Sequence, residues 1–249
     1  MGNKALGRTD RRGAIRLALA AAIVPSLAWR QANAQDVQGG LIAPPTHPMT
    51  YRRTVSRDLV DGNSFTVIRN FAVEFRRFSG GYMVHGQQGD VSVDAPQQLA
   101  QFADIEAARD ESDMFPLALD SFGLILSRDR QLAECPSVEE AVARALAALR
   151  DQSLPQEERA SFETFVAAMH VASQQITAHL PIDLFVPGRL RRDERNIALP
   201  DGAQGRVLTS FGGERDSATG LMRAASREVV TEVDDSRRIT RESWILAAT

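Results

Sequence analysis

A chain of 249 residues with 43% hydrophobic and 24% charged residues can bury a substantial core, which excludes disorder along its whole length. Residues 1–34 hold six cations and one anion, so the remainder sets 23 arginines against 31 acidic residues, a net of −8. That balance speaks against nucleic acid as a partner, because phosphate binding needs a cationic footprint, and it gives no general attraction to anionic lipid.

In chain order the first feature is an export leader. Arg11 and Arg12 precede an apolar stretch over 17–28, and the small-residue triplet Ala32-Asn33-Ala34 follows. This is the charged, apolar, cleavable order of a signal peptide. At about 1.5 Å per residue the apolar stretch reaches only about 18 Å, short of a bilayer core of about 30 Å, so no transmembrane anchor is expected. Cleavage is expected after Ala34, leaving Gln35 as the first residue of a periplasmic protein. Asp10-Arg11-Arg12-Gly13-Ala14-Ile15 resembles a twin-arginine signal, with Arg11 and Arg12 as the export motif. That resemblance implies export of an already folded chain. Cys135 is the only cysteine, so no internal disulfide is expected and stability must come from the core.

Residues 35–48 (QDVQGGLIAPPTHP) read as a flexible lead-in, and 49–249 as a single domain. A strand is predicted over 51–59, ending at the turn signal Asp61-Gly62-Asn63. Then Phe65, Val67, Phe71, Val73 and Phe75 alternate with Thr66, Asn70, Glu74 and Arg76. A period of two with one apolar face predicts a half-buried antiparallel strand. Short strands over 82–85 and 91–93 are expected around a turn at Gly86-Gln87-Gln88-Gly89. Asp94 and Pro96 mark the start of a short helix over about 96–109, on which Leu99, Phe102, Ala103 and Glu106 share a face. A hairpin follows over 117–126.

Ser137 and Glu140 form a capping box, and Val138, Val142, Ala145, Leu146 and Leu149 follow one helical stripe. A second helix is predicted from Phe162, Phe165, Val166, Met169, Ser173, Ile176 and Leu180, with Pro181 as its stop. Strands are then expected over 183–186, 189–199, 206–211, 221–233 and 238–246, the last two paired. Strands, helices, then strands predict an α+β domain. The expected architecture is a curved antiparallel sheet, half-barrel-like, with a helical hairpin inserted at about 137–180 and one short helix packed on it.

No motif of chemistry stands out. His170 and His179 are nine residues apart on one helix, about 180° around it, and so cannot share a metal. No metal or cofactor is expected. Cys135 precedes the helix cap at Ser137, where a thiol pKa can fall, yet no nucleophile signature accompanies it. The charge run at 189–195 (RLRRDER) reads as a solvated strand edge; the other reading is a contact for an anionic head group or an acidic partner. Phe71, Phe75, Phe102, Phe162, Phe165 and Met169 lie on the apolar faces. They form either a filled core or the wall of a cavity for an apolar ligand.

The order of elements resembles periplasmic carriers of the lipoprotein-localisation kind. The tail residues Thr219-Gly220-Leu221, Arg227-Glu228-Val229-Val230-Thr231, Arg238 and Glu242-Ser243-Trp244-Ile245-Leu246 are similar to the closing hairpin of proteobacterial envelope proteins. The resemblance implies an open antiparallel half-barrel that is covered by helices and holds acyl chains. The first functional reading is therefore a non-enzymatic envelope protein that binds an apolar small molecule, a lipid or a protein partner in a groove between sheet and helices. An exported hydrolase and a structural or assembly factor are the alternatives, and the oligomeric state stays open.

Overall fold

The computed structural model describes residues 41–59, 62–126, 180–198, 204–233 and 236–249. They form one open, eight-stranded antiparallel sheet with a short helix laid on it. The strands are β1 (Met49–Asp58), β2 (Ser64–Phe78), β3 (Gly81–Asp94), β4 (Leu117–Asp120), β5 (Arg191–Ala198), β6 (Gln204–Arg215), β7 (Met222–Val233) and β8 (Ser236–Ala248). Their spatial order is β4-β3-β2-β1-β8-β7-β6-β5. Two four-stranded meanders thus meet where β1 pairs with β8, Tyr51 opposite Leu246 and Arg57 opposite Thr240. The helix α1 spans Ala100–Ala108 and is preceded by a 3-10 turn over Gln97–Leu99. The expected helical hairpin at about 137–180 lies outside the described residues except for Leu180, which is a buried bend residue. Among the described residues no helix is long and apolar enough to cross a membrane.

Alternation decides which face of the sheet is buried. On β1 the buried residues are Met49, Tyr51, Arg53 and Val55, and on β2 they are Phe65, Val67, Arg69, Phe71, Val73 and Phe75. The opposite face carries exposed ion pairs such as Arg241 with Asp58 and Glu228. One face packs and the other is solvated, as antiparallel strands of period two allow.

The buried face holds two apolar clusters. The larger gathers Tyr51, Phe71, Phe75, Phe115, Phe185, Phe211 and Trp244. Tyr51 meets Phe71, Phe115 and Phe185 at centroid distances of 5.9, 6.1 and 6.2 Å. Leu180, Leu184, Phe185 and Val186 press onto the sheet here, and Met222 N donates to the Phe185 carbonyl at 2.7 Å. Residues 183–186 therefore form a turn, with Val186 N donating to the Asp183 carbonyl at 3.0 Å, where the sequence predicted a strand. The apolar run there marks a buried plug. Gly123, at φ +89°, is required opposite it, because a Cβ would stand 2.5 Å from Val186 Cγ1. Within the stretch read as the lead-in, Ile42 is only 4% exposed and joins this cluster.

The smaller cluster sits under α1 and comprises Phe65, Val67, Leu99 and Phe102. The helix starts without a side-chain cap: Asp94 is the last residue of β3, and Pro96 opens the 3-10 turn. A second difference lies in β3, which runs unbroken through the predicted turn at 86–89. The pairing there is irregular between Arg69 and Phe71. Gly86 signals close approach: a Cβ would lie 2.4 Å from the Phe115 ring. Gln88 keeps the strand extended by binding the chain beyond α1. Its N–H donates to Ser112 Oγ at 2.9 Å, its Nε2 donates to the Arg109 carbonyl at 2.8 Å, and its Oε1 accepts from Glu111 N at 3.0 Å.

The charged stretch of β5 lies at an edge of the sheet, with Arg192 to Asn196 exposed. Charge there opposes pairing with a second sheet. Arg191 alone turns to the core, bidentate on Asp183 at 2.5 and 2.8 Å and 4.8 Å from the centre of the Phe211 ring.

Candidate functional site

Between the two apolar clusters the buried face turns ionic. Four adjacent strands each place one charged side chain there: Arg69 from β2, Arg53 from β1, Glu242 from β8 and Arg227 from β7. The end of α1 and the segment after it add Glu106, Arg109 and Glu111. Arg53 donates to Glu111 Oε2 at 3.2 Å and to Glu242 Oε1 at 3.4 Å. Arg69 reaches Glu106 Oε2 at 3.0 Å, the Glu106 carbonyl at 2.9 Å and Glu111 Oε1 at 3.3 Å. Arg109 binds Glu106 at 2.9 Å and also Glu111. Arg227 donates to Glu242 Oε2 at 2.6 Å and lies 5.6 Å from the centre of the Trp244 ring.

The charges within this layer hold one another ionised. Burial by itself would raise the Glu242 carboxyl, but Arg227, Arg53 and Arg57 together bring it down to about 2. Burial likewise opposes ionisation of Glu111, and Arg109, Arg53 and Arg69 outweigh it, keeping that carboxyl below its usual range. Breaking a buried pair by removing one partner costs about 3–5 kcal/mol, because the other charge is then uncompensated. These contacts therefore fasten α1 and both meanders to one point.

The layer is rich in guanidinium groups. Among the described residues, Arg53, Arg57, Arg69, Arg109 and Arg227 gather around Glu106, Glu111 and Glu242. Among the described residues, the Tyr51 hydroxyl, Trp244 Nε1 and the Nε groups of Arg53, Arg69 and Arg109 are buried and meet no hydrogen-bond acceptor. Burial drives the Tyr51 hydroxyl pKa up, so that group stays a neutral donor. An environment of this kind suits an acceptor-rich or anionic group.

Phe71 and Phe75 lie in the larger cluster and Phe102 in the smaller, so the ionic layer separates them. Phe162, Phe165 and Met169, like Cys135, the export motif Arg11-Arg12 and the cleavage pair Ala34-Gln35, lie outside the described residues. His47 is exposed, and His85 stands opposite Glu74 on the β2–β3 ladder. Among the described residues no three His, Cys, Asp or Glu side chains gather so as to hold a metal ion. Sequence reading missed the ionic layer, although its signal was present. Arg53, Arg69, Arg227 and Glu242 occupy inward positions of alternating strands, where a charge must find a partner.

No protein-family model matches the chain, and no curated protein matches it in sequence. Among solved structures, a Nitrosomonas europaea protein assigned as AttH aligns over 85% of this chain and 56% of its own, with 10% identity and a TM-score of 0.18. The chain thus spans a little over half the length of that protein. A LolA-superfamily protein of the same organism aligns over 84% of this chain and 89% of its own, with 11% identity and a TM-score of 0.15. The fold described above rests on its own strand ladder and not on these similarities.

Proposed function

We propose that this chain is a non-enzymatic envelope protein that binds an apolar or lipid-like ligand on the inner face of its sheet. One observation carries the reading: the apolar inner face continues beyond both described clusters. On β5, β6 and β7, inward positions past the ionic layer are filled by the buried Ile197, Val207 and Val233 and by Val229, none of which belongs to either cluster. Val229 is half-exposed, and its row includes the polar Thr209 and Thr240. A mostly apolar surface with a few convergent polar groups is the ordinary make-up of a small-molecule site.

Native mass spectrometry of the protein taken from its own envelope tests this. A co-purifying lipid-sized mass is expected. A ligand-free mass, with no uptake of a long-chain alcohol added afterwards, would overturn the proposal. Residues 1–34 are read with it as the export leader. Replacing Arg11 and Arg12 by lysine should strand unprocessed precursor in the cytoplasm, and unimpaired export would refute the twin-arginine route.

A further inference from the structure

We infer that Arg57 and Arg238 form the receptor for an anionic head group, a carboxylate or a phosphate monoester, on the ligand of the inner face. The inference rests on the binding reading above and adds the chemistry of the ligand. Its starting point is a difference among the inward arginines. Arg53, Arg69, Arg191 and Arg227 each meet a carboxylate. Arg57 and Arg238 also point inward, Arg57 continuing the Tyr51-Arg53-Val55 series and Arg238 the Leu246-Trp244-Glu242 series. Neither makes an ion pair among the described residues.

Their placement is that of a cradle. Arg57 stands opposite Thr240 on β8, and Arg238 stands opposite Thr231 on β7. The two arginines are therefore near-diagonal neighbours across β1 and β8, at a backbone separation of about 7–8 Å. Two long guanidinium side chains at that spacing can close on one oxyanion from both sides. Thr240 and Thr231, on the same face, add hydroxyl donors. Val229 pairs with Thr240 and Val207 with Thr231, so apolar side chains start where the cationic pair ends. That sequence of groups matches an amphiphile, with its head on the arginines and its chain along the valines.

Both arginines are half-buried rather than extended into water. Burial lowers the pKa of Arg238, and it pushes that of Arg57 down to about 10 even with Glu242 and Glu106 nearby. The carboxylates nearest Arg57 are already engaged by other arginines, so desolvation of the cation is only partly offset in the empty protein, and an incoming anion relieves it.

The test compares four probes of related structure on the purified chain by titration calorimetry: dodecanoate, dodecyl phosphate, dodecanol and inorganic phosphate. The anionic amphiphiles are expected to bind roughly tenfold or more tightly than dodecanol, as charge-assisted hydrogen bonds require. An R57Q/R238Q double variant should lose that preference, with its urea unfolding midpoint reporting an intact fold. Each single variant should lose part of it. Equal affinity for dodecanol and dodecanoate, or a preference that survives the double substitution, would overturn the head-group assignment and leave the binding reading standing. Inorganic phosphate binding as tightly as dodecyl phosphate would overturn the amphiphile in favour of a free anion. Binding of none of the four would remove both readings.

Discussion

Two neighbouring regions of the same sheet face carry the same residue type with opposite consequences. Arg53, Arg69 and Arg227 each touch a carboxylate, shared between neighbouring arginines, and the region ties together α1 and the two meanders. A short step along the strands, Arg57 and Arg238 are half-buried without a described ion pair. The first arrangement is what stability requires of a buried charge. The second costs stability and is the kind of feature retained for binding. The difference separates arginines that hold the fold from arginines held ready by it.

The largest expected effect comes from breaking the first region. Glu242→Gln leaves Arg53 and Arg227 without their shared carboxylate and should destabilise the protein by about 3–5 kcal/mol, read from urea unfolding. A loss below about 1 kcal/mol would show that the layer is solvated in practice.

Acid should act on the same residue more gradually. The carboxyl of Glu242 is depressed to about 2 in the folded chain. Its contribution is therefore fully present above its ordinary pKa near 4.5 and disappears as the pH falls towards 2. The loss is on the order of 3 kcal/mol, and Glu242→Gln should flatten that part of the pH profile.

Substitution in the second region should have a much smaller effect. Arg57→Gln removes a desolvated cation that makes no ion pair among the described residues and only adds to the field of Arg227 and Arg53 on Glu242, so the ligand-free protein should keep its stability within about 1 kcal/mol. A clear loss of melting temperature would place Arg57 among the structural arginines. The smallest effect is expected on the solvated face. Arg241→Ala breaks exposed pairs with Asp58 and Glu228 and should change stability by less than about 1 kcal/mol, less still in high salt.

Much of the sheet was legible in the sequence because alternation is local. The inward series of β2, from Phe65 to Phe75, is visible without knowing any partner strand. The helix over Ala100–Ala108 and the pairing of β7 with β8 were legible for similar reasons. Two segments misled. Gly86 and Gly89 read as turn residues, yet Gly86 is needed because Phe115 lies against the strand. The apolar stretch at 183–186 read as a strand, yet its side chains are buried from a turn. In both, the local signal was genuine and its cause lay in a distant contact. The ionic layer was less legible still, because Arg53 finds its carboxylates 58 and 189 residues away along the chain.

The sequence by itself determined the class of the protein and the inward face of most strands, since side-chain direction in a strand follows from a period of two. The same period puts charged residues such as Arg53, Arg69, Arg227 and Glu242 on those inward faces, a signal that the sequence carries but that was read only once the structure was in view. Only the tertiary structure decided which of those charges meet a counter-charge. That outcome depends on closing β1 against β8 and seating α1 beside them, and ion pairing acts over a few ångströms of space regardless of distance along the chain.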